Sequence, residues 1–180
     1  MVHRRRNVSG ARGLGARCGW SPCYEPGWTG RRCASNLIGM DIRRISPAYA
    51  VSPQIEASDI PAIAAAGFTT VLCNRPDAEV PPPLQAAAIQ AATEAAGLRF
   101  VLNPVTHQTL NAQIVAAQYA ALDGSDGPVL AYCASGTRSS IVWSLGQAKL
   151  QPADAIIAAT AKVGYELSGL RAQLDTLAKG

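Results

Sequence analysis

A chain of 180 residues with 48% apolar and 16% charged side chains has enough material for one domain with a buried core. That balance excludes a wholly disordered or fibrous protein. The net charge of +4 is unevenly placed: residues 1–39 carry seven arginines against Glu25 alone, while residues 40–180 carry nine basic and eleven acidic side chains. The positive excess therefore belongs to the leader, and charge gives the body no reason to bind nucleic acid or an anionic membrane surface.

Residues 1–39 have neither helical nor strand periodicity and read as a disordered basic leader. The start MVHRRR is followed by no apolar run of about 7–15 residues, so it does not read as a secretory signal; an arginine-rich, acid-poor leader also fits an organellar transit peptide. Cys18, Cys23 and Cys33 lack a close fourth ligand and make an incomplete zinc site. Five cysteines form a poor disulfide framework, and no stretch reaches the roughly 18 apolar residues of a membrane span, so the expected location is cytoplasmic, away from any membrane. At Met40 the composition changes abruptly. Met40 is the expected start of the folded domain, 40–180, and a candidate initiator.

Ala48–Val51 reads as a first strand. Ser58 and Asp59 cap a helix to about Ala66, with Ile60 and Ile63 on its buried face. FTTVLC (68–73) is a buried strand by its β-branched content. NRPDAEVPPP is an extended loop, followed by a helix from about Leu84 to Ala96 and a strand at 99–102. Asn111 opens a helix to about Leu122, PVLAY (128–132) is the last strand, and helices follow at about 139–150, 153–163 and 168–178. Strands separated by single helices need crossover connections, which predicts an α/β fold with a mainly parallel central sheet and helices on both faces. Ligands of such sheets sit outside the carboxyl ends of the strands.

At one such end stands YCASGTRSS (132–140). The layout puts the Cys133 thiol at a helix N-terminus, where unpaired N–H groups and the dipole favour the thiolate. Ala134, Ser135, Gly136 and Thr137 are small enough to turn their N–H groups inward around an anion. Arg138 closes the ring with a planar fork that holds two oxygens of an oxyanion. The hydroxyl of Ser139 is placed to donate to the thiolate. Cys73, whose strand runs into Asn-Arg-Pro, reads as a core cysteine.

SPQI (52–55), NRPDAE (74–79), the pair Pro104–Val105 and YCASGTRSS, in this order, resemble the bacterial beta-lactamase-hydrolase-like, phosphatase-like domain family, which is also described as a sulfur transferase family. The resemblance runs from about Met40 to Lys149. It implies a fold similar to the cysteine-dependent protein-tyrosine phosphatases, with Cys133 as nucleophile and Arg138 as oxyanion clamp. Ala134 stands where relatives often have a basic residue, and AEVPPP stands where they carry Glu, Gly and Gln. The segment matching the general-acid loop of tyrosine phosphatases, NPVTHQT (103–109), has no Asp or Glu.

His107 in that segment is chemically suited to protonate a leaving group near neutrality. Arg75 and Asp77, on the same rim, either position substrate or pair with each other to hold their loop. No metal site or cofactor is expected. The helices between 150 and 178 offer a packing surface that suits a homo-oligomer. Phosphoester hydrolysis through a cysteinyl intermediate is the leading expectation, with sulfur transfer by a persulfide on Cys133 as the alternative and non-catalytic anion binding as a third. The partner is a small anionic, phosphorylated or sulfur-donor molecule. The C-x4-R spacing is one residue shorter than the usual tyrosine-phosphatase loop and resembles that of rhodanese-type sulfurtransferases, which favours the smaller persulfide.

Overall fold

The computed structural model describes residues 39–179. The basic leader and Cys18, Cys23 and Cys33 lie outside the described residues. Five four-residue strands, β1 (Arg43–Ser46), β2 (Tyr49–Ser52), β3 (Thr70–Cys73), β4 (Arg99–Leu102) and β5 (Val129–Tyr132), make one sheet in the order β1-β2-β5-β3-β4. Strands β2, β5, β3 and β4 are parallel, and β1 pairs with β2 antiparallel. Among the described residues six α-helices accompany them: α1 (Ile60–Ala65), α2 (Ala86–Ala95), α3 (Ala112–Asp123), α4 (Thr137–Gln147), α5 (Ala153–Ala161) and α6 (Arg171–Lys179).

The period of two along β5 explains how the layers form. Val129 and Ala131 pack with Trp143, Ile156 and Leu174, whereas Leu130 and Tyr132 pack with Ile60, Ile63 and Ile89. Helices α1 and α2 thus cover one face, and α3 to α6 cover the other. A mainly parallel α/β sheet with helices on both faces is what the alternation of strands and helices predicts.

The strand β1 was not expected, because Arg43 and Arg44 hide the apolar signal and Ile45 is its only buried side chain. It is an edge strand, and the two guanidinium groups lie over aromatic rings, Arg44 over Phe68 and Arg43 over Tyr165. Other boundaries move by one to three residues, and the loop expected to be extended contains two 3-10 turns, Asp77–Glu79 and Pro82–Leu84. The strand expected from Phe68 begins at Thr70, and the helix expected from Ser139 begins at Thr137, which puts Arg138 in its first turn. Asn111 caps α3 as expected, its Oδ1 accepting from the Ile114 N–H at 3.0 Å. Asp59 acts one turn earlier than expected, accepting from the Glu56 N–H at the start of a 3-10 turn that leads into α1.

Tyr119, Leu150 and Leu177 remain partly exposed along a groove of about 750 Å³ lined by α3, the end of α4 and α6. No described helix is long and apolar enough to cross a membrane. The carboxyl ends of β2, β3 and β5 converge on one rim, where Cys133 N–H bonds to the Ser52 carbonyl and Asn74 N–H to the Tyr132 carbonyl.

Candidate active site

Cys133 follows β5 directly and is fully buried. Three residues on, the chain turns at Gly136, whose φ of 85° is the left-handed region open to glycine. That turn directs the Gly136 N–H onto the Cys133 sulfur at 3.2 Å. The Gly136 carbonyl then accepts from the Ser140 N–H and hydroxyl, at 3.0 and 2.9 Å, and α4 begins. Ser135 and Thr137 exchange a hydroxyl hydrogen bond of 3.0 Å across the loop, and Ala134 and Ser135 are exposed. The sulfur thus lies at a helix start with an N–H aimed at it.

Ser139 is buried, and its hydroxyl makes no hydrogen bond among the described residues. The expected donation from Ser139 to the thiolate is therefore not made, and the Gly136 N–H takes that place. The helical start fixes the reason: the Ser139 carbonyl accepts from the Tyr49 hydroxyl at 3.0 Å and from Gln118, which also donates to Tyr49 at 2.9 Å. Tyr49 stacks on Trp143 at 6.0 Å, so the first turn of α4 is anchored to the core on its inner side.

Arg138 is held by two acceptors brought from elsewhere in the chain. Nη1 and Nη2 donate to the two oxygens of Glu79 at 2.8 and 2.6 Å, and Nη1 donates again to the Val105 carbonyl at 2.7 Å. Three of the five guanidinium donors are thus used. The Nε–H and the second hydrogen of Nη2 donate to no oxygen among the described residues and form the side-on fork that suits two oxygens of one anion; beside the larger effect of Glu79, the nearby Cys133 sulfur also raises the guanidinium. Glu79 also forms a 3.5 Å ion pair with Arg75 Nε, while Arg75 donates to Gln54 Oε1 at 3.2 Å and to the Glu79 carbonyl at 3.3 Å. Gln54 of SPQI, Arg75 and Glu79 of NRPDAE, Val105 and Arg138 form one chain of contacts.

The Arg138 fork, with smaller contributions from Arg75, holds the Glu79 carboxyl below its ordinary value, and Glu79 in turn raises the Arg138 guanidinium. An ionised, doubly engaged carboxylate has no proton to give, so Glu79 is a clamp for the guanidinium rather than a general acid. Glu79→Gln is expected to loosen the hold on Arg138, since charge-assisted hydrogen bonds are roughly twice as strong as neutral ones. The sign with pH follows from the lowered folded value: the pair's stabilisation is complete above the ordinary carboxyl value of 4.5 and is lost as pH falls through the lowered one. Urea unfolding should show the gap between wild type and Glu79→Gln unchanged at pH 6–7 and closing below about pH 4.

The remaining sequence candidates divide. Arg75 does not pair with Asp77; Glu79, four residues on, reaches it instead. Asp77 turns toward α2, accepting from the Ala86 N–H at 2.7 Å and capping a helix whose own N-cap side chain makes no such bond. His107 is exposed in a turn closed by Thr106 and Thr109, two residues beyond the carbonyl that holds Arg138. Cys73 is buried, with its thiol pushed up by burial and donating to the Arg75 carbonyl at 3.3 Å, in keeping with a core role. Sequence reasoning missed Glu79 and Tyr165. Glu79 was visible only as a letter of NRPDAE. Tyr165, whose hydroxyl donates to the Ser135 carbonyl at 3.0 Å, carried no local signal.

The sequence model of the beta-lactamase hydrolase-like protein, phosphatase-like domain family matches residues 41–150, which hold every member of the Gln54–Arg75–Glu79–Val105–Arg138 chain and Cys133. The chain belongs to that family. A beta-lactamase hydrolase-like protein of Agrobacterium fabrum is 30% identical over 105 residues, covering 58% of this chain and 24% of the relative. One from Xylella fastidiosa is 31% identical over 108 residues, covering 60% and 25%. The matched part of the chain thus spans about a quarter of the length of these relatives. Among solved structures, a candidate phosphatase from Neisseria meningitidis is 34% identical with a TM-score of 0.68, covering 77% of this chain and 99% of its own. At 18% identity the fold alone extends to P. aeruginosa TpbA in complex with phosphotyrosine, with a TM-score of 0.50 and coverage of 74% and 90%. The family, its phosphatase-like fold and the sequence resemblance agree.

Proposed function

We propose that the domain hydrolyses a phosphoester through a cysteinyl-phosphate intermediate on Cys133. The observation that carries this reading is the meeting of a sulfur that accepts the Gly136 N–H at a helix N-terminus with a guanidinium clamped by Glu79 and Val105 so that a two-donor edge is spare. In the first step Sγ attacks phosphorus, forming an S–P bond as the P–O bond to the leaving group breaks. The leaving oxygen departs with the bond's electron pair and takes a proton. In the second step water attacks phosphorus, the S–P bond breaks, and inorganic phosphate and the thiolate are released. The Arg138 edge and the loop N–H groups hold the equatorial oxygens, whose charge is spread in the transition state.

His107 is the proposed proton donor, on the strength of its place in the loop that also holds Arg138. Arg75 orients Glu79, and Ala134, Ser135, Gly136 and Thr137 line the anion. Aryl phosphates are the probes of choice, because their leaving groups depend least on a proton donor and because TpbA, which shares the fold, binds phosphotyrosine.

The deciding experiment is rapid acid quench of the chain with an aryl phosphate, followed by peptide mass analysis. A phosphoryl adduct on Cys133 that forms and decays with turnover is the expected result. Absence of both adduct and hydrolysis, with thiosulfate instead loading a sulfur atom on Cys133, would assign the loop to sulfur transfer. The short C-x4-R spacing makes that arm worth running.

A further inference from the structure

The peptide that joins Ser135 to Gly136 is gripped at both ends. Its N–H points at the Cys133 sulfur at 3.2 Å, and its carbonyl accepts from the Tyr165 hydroxyl at 3.0 Å. In a trans peptide the N–H and C=O point in opposite directions, so whatever holds the oxygen also aims the hydrogen. The hydroxyl reaches the loop because Gly136 has no Cβ: one built there would lie 2.0 Å from the Tyr165 oxygen. Glycine therefore serves twice at this position, by its positive φ and by admitting the hydroxyl.

Tyr165 is itself held. It follows Gly164 in the turn after α5, where φ of 87° at Gly164 lets the Tyr165 N–H return to the Thr160 carbonyl at 3.0 Å. The Arg43 guanidinium lies 5.1 Å from the ring centroid, fixed by Asp41 and by the Val163 carbonyl. The edge strand β1 and the segment after α5 thus meet at Tyr165. Burial pushes the Tyr165 hydroxyl up; of its charged neighbours Arg43 works against that, while Asp41 and Cys133 add to it, so it stays a donor through the neutral range.

We infer that Tyr165, which lies beyond the family-matched residues 41–150, is a positioning residue: its hydroxyl locks the Ser135–Gly136 peptide with the N–H on the Cys133 sulfur. With a hydrogen in its place, the peptide is free to rotate and the thiolate loses its nearest fixed donor. The inference rests on Cys133 being the reactive thiolate.

The test is the rate of iodoacetamide alkylation at Cys133, followed by peptide mapping in the full chain, at pH 6 and at pH 9.5, for wild type and Tyr165→Phe. Phenylalanine keeps the ring under Arg43 and removes only the hydroxyl. Loss of a hydrogen bond to a charged group is expected to slow the pH 6 reaction about tenfold. At pH 9.5, where an ordinary cysteine is largely ionised, the two rates should converge. A slowing of less than threefold at pH 6, or an equal slowing at both pH values, overturns the inference, the latter because a merely structural role alters access rather than ionisation. If wild-type Cys133 itself is unreactive at pH 6, the nucleophile reading fails and takes this inference with it, a pattern distinct from a reactive wild type matched by Tyr165→Phe. Tyr165→Leu, which also removes the ring from beneath Arg43, separates lost stability from the lost hydroxyl by its thermal unfolding.

Discussion

Cys133→Ser is expected to abolish aryl phosphate hydrolysis while leaving the fold unchanged. The side chain is fully buried, serine is the nearest substitute in shape, and its oxygen can still accept the Gly136 N–H. What changes is the nucleophile: a serine hydroxyl stays protonated where no base stands beside it, and removal of a nucleophile costs on the order of 10⁴-fold or more in kcat. The same variant keeps the loop N–H groups and Arg138, so it should still bind the anion. Inorganic phosphate or vanadate titrated into Cys133→Ser and read by calorimetry or thermal shift should therefore give binding without turnover. Hydrolysis at wild-type rate in Cys133→Ser would remove the cysteinyl intermediate altogether, and wild type that binds the anion but never turns over would leave a binding module.

Arg138→Lys is expected to lower kcat about 10²–10³-fold, the usual cost of removing a main oxyanion donor. Charge is retained, so the argument turns on geometry. Arg138 satisfies both oxygens of Glu79 and the Val105 carbonyl with three donors and still has a two-donor edge spare. An ammonium offers three hydrogens from a single nitrogen, and engaging Glu79 and Val105 consumes most of them. Steady-state kinetics with an aryl phosphate will show the loss mainly in kcat if the edge acts on the transition state. Near-wild-type kcat in Arg138→Lys would mean that the guanidinium only holds the loop together. Alkylation of Cys133 in the same variant adds a second readout, because it needs the thiolate and not the clamp.

The sulfur, the turn and the guanidinium fall within six consecutive residues, Cys133 to Arg138, so their chemistry was open to a local reading: a strand ends, small residues turn, a helix begins. Cys73 was distinguishable from Cys133 for the same reason, since Asn-Arg-Pro after it opens no helix. The clamp was not open to such a reading. Glu79 and Arg138 are separated by 59 positions, and only the pairing of β3 with β5 sets their loops side by side. Asp77 shows the converse: it stood in a functional motif, yet its carboxylate turns to the Ala86 N–H, a partner that a motif does not reveal.

By itself, then, the sequence determined what short-range physics controls. Apolar runs bounded by Gly and Pro, Asn111 before its helix and the alternation of strands with helices were enough for the mainly parallel sheet, its two helical layers and the rim on which Cys133 sits. Tertiary structure decided whatever depends on two distant segments meeting. It added the edge strand Arg43–Ser46, whose arginines are apolar-facing only through the rings of Phe68 and Tyr165 beneath them. It gave Arg138 its acceptors, left the Ser139 hydroxyl without a partner among the described residues, and brought Tyr165 to the carbonyl of Ser135. Hydrogen bonds act over about 3 Å in space and carry no trace in sequence separation, whereas strand and helix periods repeat every two and 3.6 residues along the chain.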